Sequence, residues 1–138
     1  MLVVFIPKAW SLESLARLLQ SHGLPPGIFP ENVESFSLDR YSRLEVRLDS
    51  PCYAEFENMV YFEKVVRANL SYGGLLGLQG LQQRELFLWL PVRGIINNDP
   101  SSGVIMIDIG IAHEHIALSH FDEPPVCTPL PLAAGINS

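Results

Sequence analysis

The side chains in this sequence that could do chemistry together are few, and each set can be weighed by its spacing. His113-Glu-His115 places two imidazoles on one face of an extended segment, a usable pair of metal ligands. A third ligand would have to come from Asp108 or His120 through the fold. By alternation both histidines share parity with Ile105, Ile107, Ile109 and Ile111, so an unbroken strand would drive them into the core. The strand is therefore expected to end or bulge near Ala112, leaving solvated histidines and no metal site. Serine hydrolysis needs a nucleophile on a strained turn, a base within reach and an oxyanion hole. No G-x-S-x-G occurs, and Asn69-Leu-Ser-Tyr-Gly73 lacks the leading glycine of that turn, so Ser71 reads as a strand or turn serine. Asn69-Leu70-Ser71 is also a glycosylation sequon, which matters only in a secretory setting.

Cys52 and Cys127 stand 75 positions apart with no C-x-x-C, which argues against a thioredoxin-like or structural zinc motif. Either both are buried free thiols or they form one bridge closing a long loop. Asp122-Glu123 precedes Pro-Pro and reads as a solvated loop instead of an acid–base pair. Gly73-Gly74 and Gly77 lack the strand-to-helix context and the lysine of a phosphate-cradling loop. No catalytic residue, metal site or cofactor is expected from these motifs, and the balance leans away from an enzyme.

The elements that would position any site are set by composition. Of 138 residues, 48% are hydrophobic and 17% charged, against an ordinary charged share of about 25%. Such a chain can bury a core, and it leaves apolar surface at a pocket mouth, a groove or an oligomer face. Nine basic residues scattered through a chain of net charge −6 make no phosphate-binding cluster, so nucleic acid is not an expected partner. No run approaches the roughly 20 apolar residues of a bilayer span, so an integral membrane protein is not expected.

Met1–Ile6 is apolar but halted by Pro7 and Lys8. It reads as a first strand or a trimmed leader, not as a signal peptide, which leaves a cytoplasmic chain as written. Leu12, Leu15, Leu18 and Leu19 predict an amphipathic helix over about 11–22, capped by Ser11, with Glu13 in its first turn and Gly23 as a left-handed stop. Strand alternation follows in Val33–Asp39 and Leu44–Leu48, joined as a hairpin, then in Cys52–Phe56, Met59–Phe62 and Val66–Leu70. Leu86–Val92 reads as a strand buried on both faces, and Val104–Ile111 as another strongly apolar one. The expectation is one mainly β domain over 1–138, a partly open antiparallel barrel or sandwich with one N-terminal helix. Its β portion covers about 30–121, and a loose proline-rich tail covers 124–138.

Gly23-Leu-Pro-Pro-Gly-Ile-Phe-Pro30 after an amphipathic helix, followed by Ser50-Pro51-Cys52 and Tyr61-Phe-Glu-Lys-Val65, resembles the plant domain-of-unknown-function family 538. Leu70-Ser-Tyr-Gly73, Leu78-Gln-Gly-Leu81, Leu86–Val92, Ile109-Gly-Ile111 and Phe121–Cys127 continue the likeness in order, over about residues 12–127. The resemblance implies a small, mainly β, partly open barrel from a plant, in a family many of whose members carry a secretory leader. Its activity is unsettled. Apolar-ligand or lipid binding and a chlorophyll-hydrolase-like ester cleavage have both been proposed for members. His113 and His115 depart from the family's usual residues, which argues against shared metal chemistry.

Small β-barrels hold apolar ligands when inward side chains leave a void. Tyr61, Phe62, Phe87 and Trp89, with the glycines at 73, 74, 77 and 80, suit such a pocket and equally suit a closed core. The reading is a non-enzymatic binding module for an apolar or lipid-like small molecule, with those four aromatics as its ligand contacts. The alternatives are a weak ester hydrolase and a homodimer joined through an apolar sheet face or edge strand, without a small ligand.

Overall fold

The computed structural model describes residues 8–128; Met1–Ile6 and the last ten residues of the proline-rich tail lie outside them. Helix α1 runs Lys8–Ser21 and buries Leu15 and Leu19, with Leu12 and Leu18 partly covered beside them. It starts ahead of Ser11, so Ser11 is not its cap. That side chain is instead buried on the helix face toward the sheet, where its hydroxyl donates to the Glu34 carbonyl at 3.2 Å. Glu13 lies on the solvent face and pairs with Arg17 one turn on, at 2.7 Å. The helix ends as its glycine dictates. Gly23 takes a φ of +72°, its N–H bonds the Gln20 carbonyl, and the Leu24 N–H bonds that of Leu19, a reciprocal pair that satisfies the last free carbonyls. The Pro-Pro-Gly loop behind it turns inward, burying Leu24, Ile28 and Phe29.

Among the described residues nine strands follow, all paired antiparallel: β1 Val33–Leu38, β2 Arg43–Leu48, β3 Cys52–Glu55, β4 Met59–Ser71, β5 Gly74–Glu85, β6 Leu88–Pro91, β7 Gly94–Ile96, β8 Val104–Asp108 and β9 His113–Ala117. The order is β1-β2-β4-β5-β7-β8-β9. The sheet is not closed into a barrel, and β3 and β6 flank the far halves of β4 and β5. The helix packs on β1. Mainly β, open and led by one helix is therefore the observed architecture.

Met59–Phe62 and Val66–Leu70, read from sequence as separate runs, are one strand. Register shifts between Phe62 and Arg67 put Glu63 and Lys64 both outside, which broke the alternation. The partner strand bends with it. Gly80 has a φ of +92°, and a Cβ there would stand 2.6 Å from the Val65 carbonyl oxygen, so only glycine fits. Past this bend, Val60 and Leu81 face Ile107 and Ile116 of β8 and β9 across the core. The sheet thus curls until the far half of β4 and β5 faces β8 and β9.

Leu86–Val92 is the main correction. It is not a strand buried on both faces. Leu86 and Phe87 form the turn between β5 and β6, and Leu86, Phe87 and Leu88 are 86%, 89% and 63% exposed. The run is apolar because of where its tip points, with only Leu90 and Val92 returning to the core. Val104–Ile111 also ends early, at Asp108. The Asp108 carboxylate accepts from Gly110 N–H at 2.8 Å and Ile109 N–H bonds the Ala112 carbonyl, so the strand breaks ahead of Ala112.

Residues 121–128 form a strap, so the part of the expected loose tail that is described is tied down. Gly27 N–H bonds the Phe121 carbonyl, Glu31 N–H bonds that of Pro125, and Thr128 N–H bonds that of Tyr53 at 2.7 Å. Cys52 and Cys127 are disulfide-bonded, which resolves the choice between free thiols and a bridge. In the loop-entropy model a closure of 75 residues contributes about 4 kcal/mol.

Candidate functional site

Where the curled sheet faces itself, a seam runs between the far half of β4–β5 and the β7–β8–β9 wall. Its lining is almost wholly apolar, from Phe56, Val60, Leu81, Ile95, Ile107 and Ile116, among others. The cavity volume is about 20 Å³, room for one water by size but too apolar to hold it. Phe121 of the strap stacks on Phe56 at 4.4 Å between ring centres and covers one side.

The polar exception is Gln83, 2% exposed on the inward face of β5. Its amide nitrogen donates to Glu114 at 2.6 Å and to Glu85 at 2.9 Å. Asn58, from the β3–β4 turn, donates to Glu85 at 3.2 Å and Glu114 at 3.4 Å. Among the described residues no backbone pairing joins β9 to β3 or β6, so these side-chain bonds from Glu114 clasp the open side of the curl. Burial raises the Glu114 carboxyl above the ordinary carboxylate value. A hydrogen bond with Glu85 and the charges of Glu85 and Glu57 add to the rise, and the Gln83 bond opposes it.

The histidines of the His-Glu-His run are solvated, as parity with the isoleucines led us to expect, and the residue that meets the seam is the glutamate between them. His113 and His115 point to solvent, His113 lying 3.7 Å from Asp108, while Glu114 points inward with Ile116. His120 is 3.8 Å from Glu57. Among the described residues no three His, Cys, Asp or Glu side chains meet as metal ligands. Ser71 donates to the Gly74 carbonyl at 3.4 Å within its hairpin. Gln83 and Glu85 escaped notice because their facing depends on the bend at Gly80, and Asn58 because it meets them only across the β3–β4 turn. Once that bend is set, Leu81, Gln83 and Glu85 alternate on one side.

The four aromatics expected at a ligand do not meet in one pocket. Phe62 is fully buried behind the seam, edge-on to Phe56 at 6.5 Å and tilted on Phe29 at 6.3 Å. Tyr61 is on the opposite face and half-buried. It packs at 5.0 Å on Tyr53, which also meets Trp89 edge-on at 5.8 Å. Burial, with Tyr53 and Glu63 nearby, raises the Tyr61 hydroxyl above its ordinary value. Phe87 stands at the exposed hairpin tip.

A larger concavity lies elsewhere, a trough of about 460 Å³ on the outer face of β1, β2, β4 and β5. Ser37, Glu45, Arg67 and Gln79 cross it as one row of strand neighbours. Its charges satisfy one another, since Glu45 pairs with Arg67 at 3.1 Å and with Arg47 at 3.3 Å, all partly exposed. That is a solvated polar face, whereas the seam couples an apolar interior to a few convergent polar groups, the usual make-up of a ligand site.

A family model described as "Protein of unknown function, DUF538" matches residues 15–122. No curated protein and no solved structure matches the chain.

Proposed function

The chain belongs to DUF538, a family of proteins of unknown function, and from its geometry we propose that it is a non-enzymatic binding module for an apolar or lipid-like small molecule. One observation carries the reading: among the described residues no backbone ladder joins the two walls of the apolar seam on their open side, which is held by side chains, the hydrogen bonds of Gln83, Asn58 and Glu114 and the Phe121–Phe56 stack. Each such bond to a carboxylate is worth about 1–3 kcal/mol net, and parting the walls breaks a few of them and one ring stack without unzipping a strand ladder. A ligand that fills the parted seam selects that minor state and repays its cost by burying apolar surface on both walls. The clasp residues then face the ligand's polar end. Contacts fall to Phe56, Val60, Leu81 and Ile116, with Phe62 backing Phe56, and Tyr61, Trp89 and Phe87 lie outside the seam.

The test is titration with a fluorescent fatty acid whose emission rises in apolar surroundings. Saturable uptake by the wild type, lost in Val60→Trp with the thermal unfolding transition retained, is the expected result. Absence of saturable uptake by the wild type, or equal uptake by a folded Val60→Trp, overturns the reading.

A further inference from the structure

The β5–β6 turn places three large apolar side chains in succession at the end of a projecting hairpin, where Leu86, Phe87 and Leu88 are mostly solvent-exposed. Leu86 holds a φ of +57°, a conformation that favours glycine or asparagine in such turns. A leucine there gains nothing from packing and is strained besides, so folding does not account for it. We propose that this tip inserts into the surface of a neutral, zwitterionic lipid bilayer. The proposal stands independently of the seam.

Three features choose this occupant over a protein. The tip is convex and offers roughly a few hundred Å² of apolar surface, well below the about 800 Å² per partner of a stable protein interface. Lipid tails need no matching shape, so a small convex patch suffices. Behind the tip on the same hairpin arm stands Trp89, with Tyr53 packed edge-on against it and Tyr61 packed on Tyr53. Such amphipathic rings sit at the headgroup level while apolar side chains pass deeper. Charge selects the lipid. Glu57 belongs to the neighbouring β3–β4 turn, and Glu85, which begins the tip, is bonded to Asn58 of that turn. Arg84, the cation at the base of the tip, is turned back onto the Leu86 carbonyl at 3.2 Å and stands beside these acids, and with a net charge of −6 the chain as a whole gains nothing from anionic headgroups.

The experiment is co-sedimentation of the full chain with phosphatidylcholine vesicles, wild type against Phe87→Asp and Leu86→Ser, with thermal melts to show that both variants fold. Partition by the wild type, reduced at least tenfold in both variants and insensitive to added salt, is the expected result. Val60→Trp should partition like the wild type, which separates surface docking from uptake of lipid into the seam. The proposal is overturned by no partition of the wild type, by partition unchanged in Phe87→Asp, or by partition lost in Val60→Trp. It also fails if the tip variants abolish a concentration-dependent dimer, which would show a second copy of the chain to be the occupant.

Discussion

Glu114 is the residue on which the open side of the sheet depends, and its proton sets how firmly that side is held. Its carboxyl is raised in the folded chain, so the fold binds more protons than the unfolded chain between the ordinary carboxylate value and the raised one. Stability from this group is complete below that window and is lost as pH rises through it. Glu114→Gln removes the titration, so urea midpoints measured across the window should be flatter in the variant than in the wild type. An equal slope in both would assign the pH dependence to another group. His113 and His115, being chemically conspicuous, drew the sequence reading to the outer face of β9. Their solvated state was legible from parity with the isoleucines, but the inward Glu114 between them matters only beside Gln83 and Asn58. That contact joins residues remote in sequence, and no local pattern encodes it.

At the scale of elements, the fold turns on a bend in two long strands. Gly80 sits where β5 crosses the irregular stretch of β4, with left-handed backbone and the Val65 carbonyl against the place a side chain would take. Gly80→Ala combines backbone strain with steric overlap and should cost about 2–4 kcal/mol. Urea unfolding measures that loss, and a cost below about 0.5 kcal/mol would mean that the bend does not need glycine. The helix, its glycine stop and the first three strands were legible because their periodicities are local and their turns carry the expected residues. Leu86–Val92 misled because a continuous apolar run is the pattern of a doubly buried strand, and alternation alone cannot tell a hidden tip from a projecting one. Likewise the aromatics Tyr61 and Phe62 are neighbours in sequence that a strand must send to opposite faces, so they could not share one pocket.

Taken as a whole molecule, the chain is closed by its last described segment as much as by its sheet. The strap from Phe121 to Thr128 lies across the Pro-Pro-Gly loop, bonded to it at Gly27 and Glu31, and ends at the disulfide to β3. At Gly27 the Glu123 backbone occupies the space that any Cβ would need. Backbone cannot yield there as a flexible side chain would, so even alanine must lift the strap. Cys127 rides on that strap, and Cys52 waits buried in β3. The glycine therefore acts on the kinetics of thiol oxidation a few residues along the strap, by deciding whether the two sulfurs are presented to each other. During oxidative refolding, Gly27→Ala should close the Cys52–Cys127 bridge several-fold more slowly than the wild type, as followed by alkylation of remaining thiols. A wild-type rate in that variant would mean the sulfurs meet before the strap is seated. The expected slowing would make the small loop after the helix a chaperone, within the chain itself, for a covalent bond it never touches.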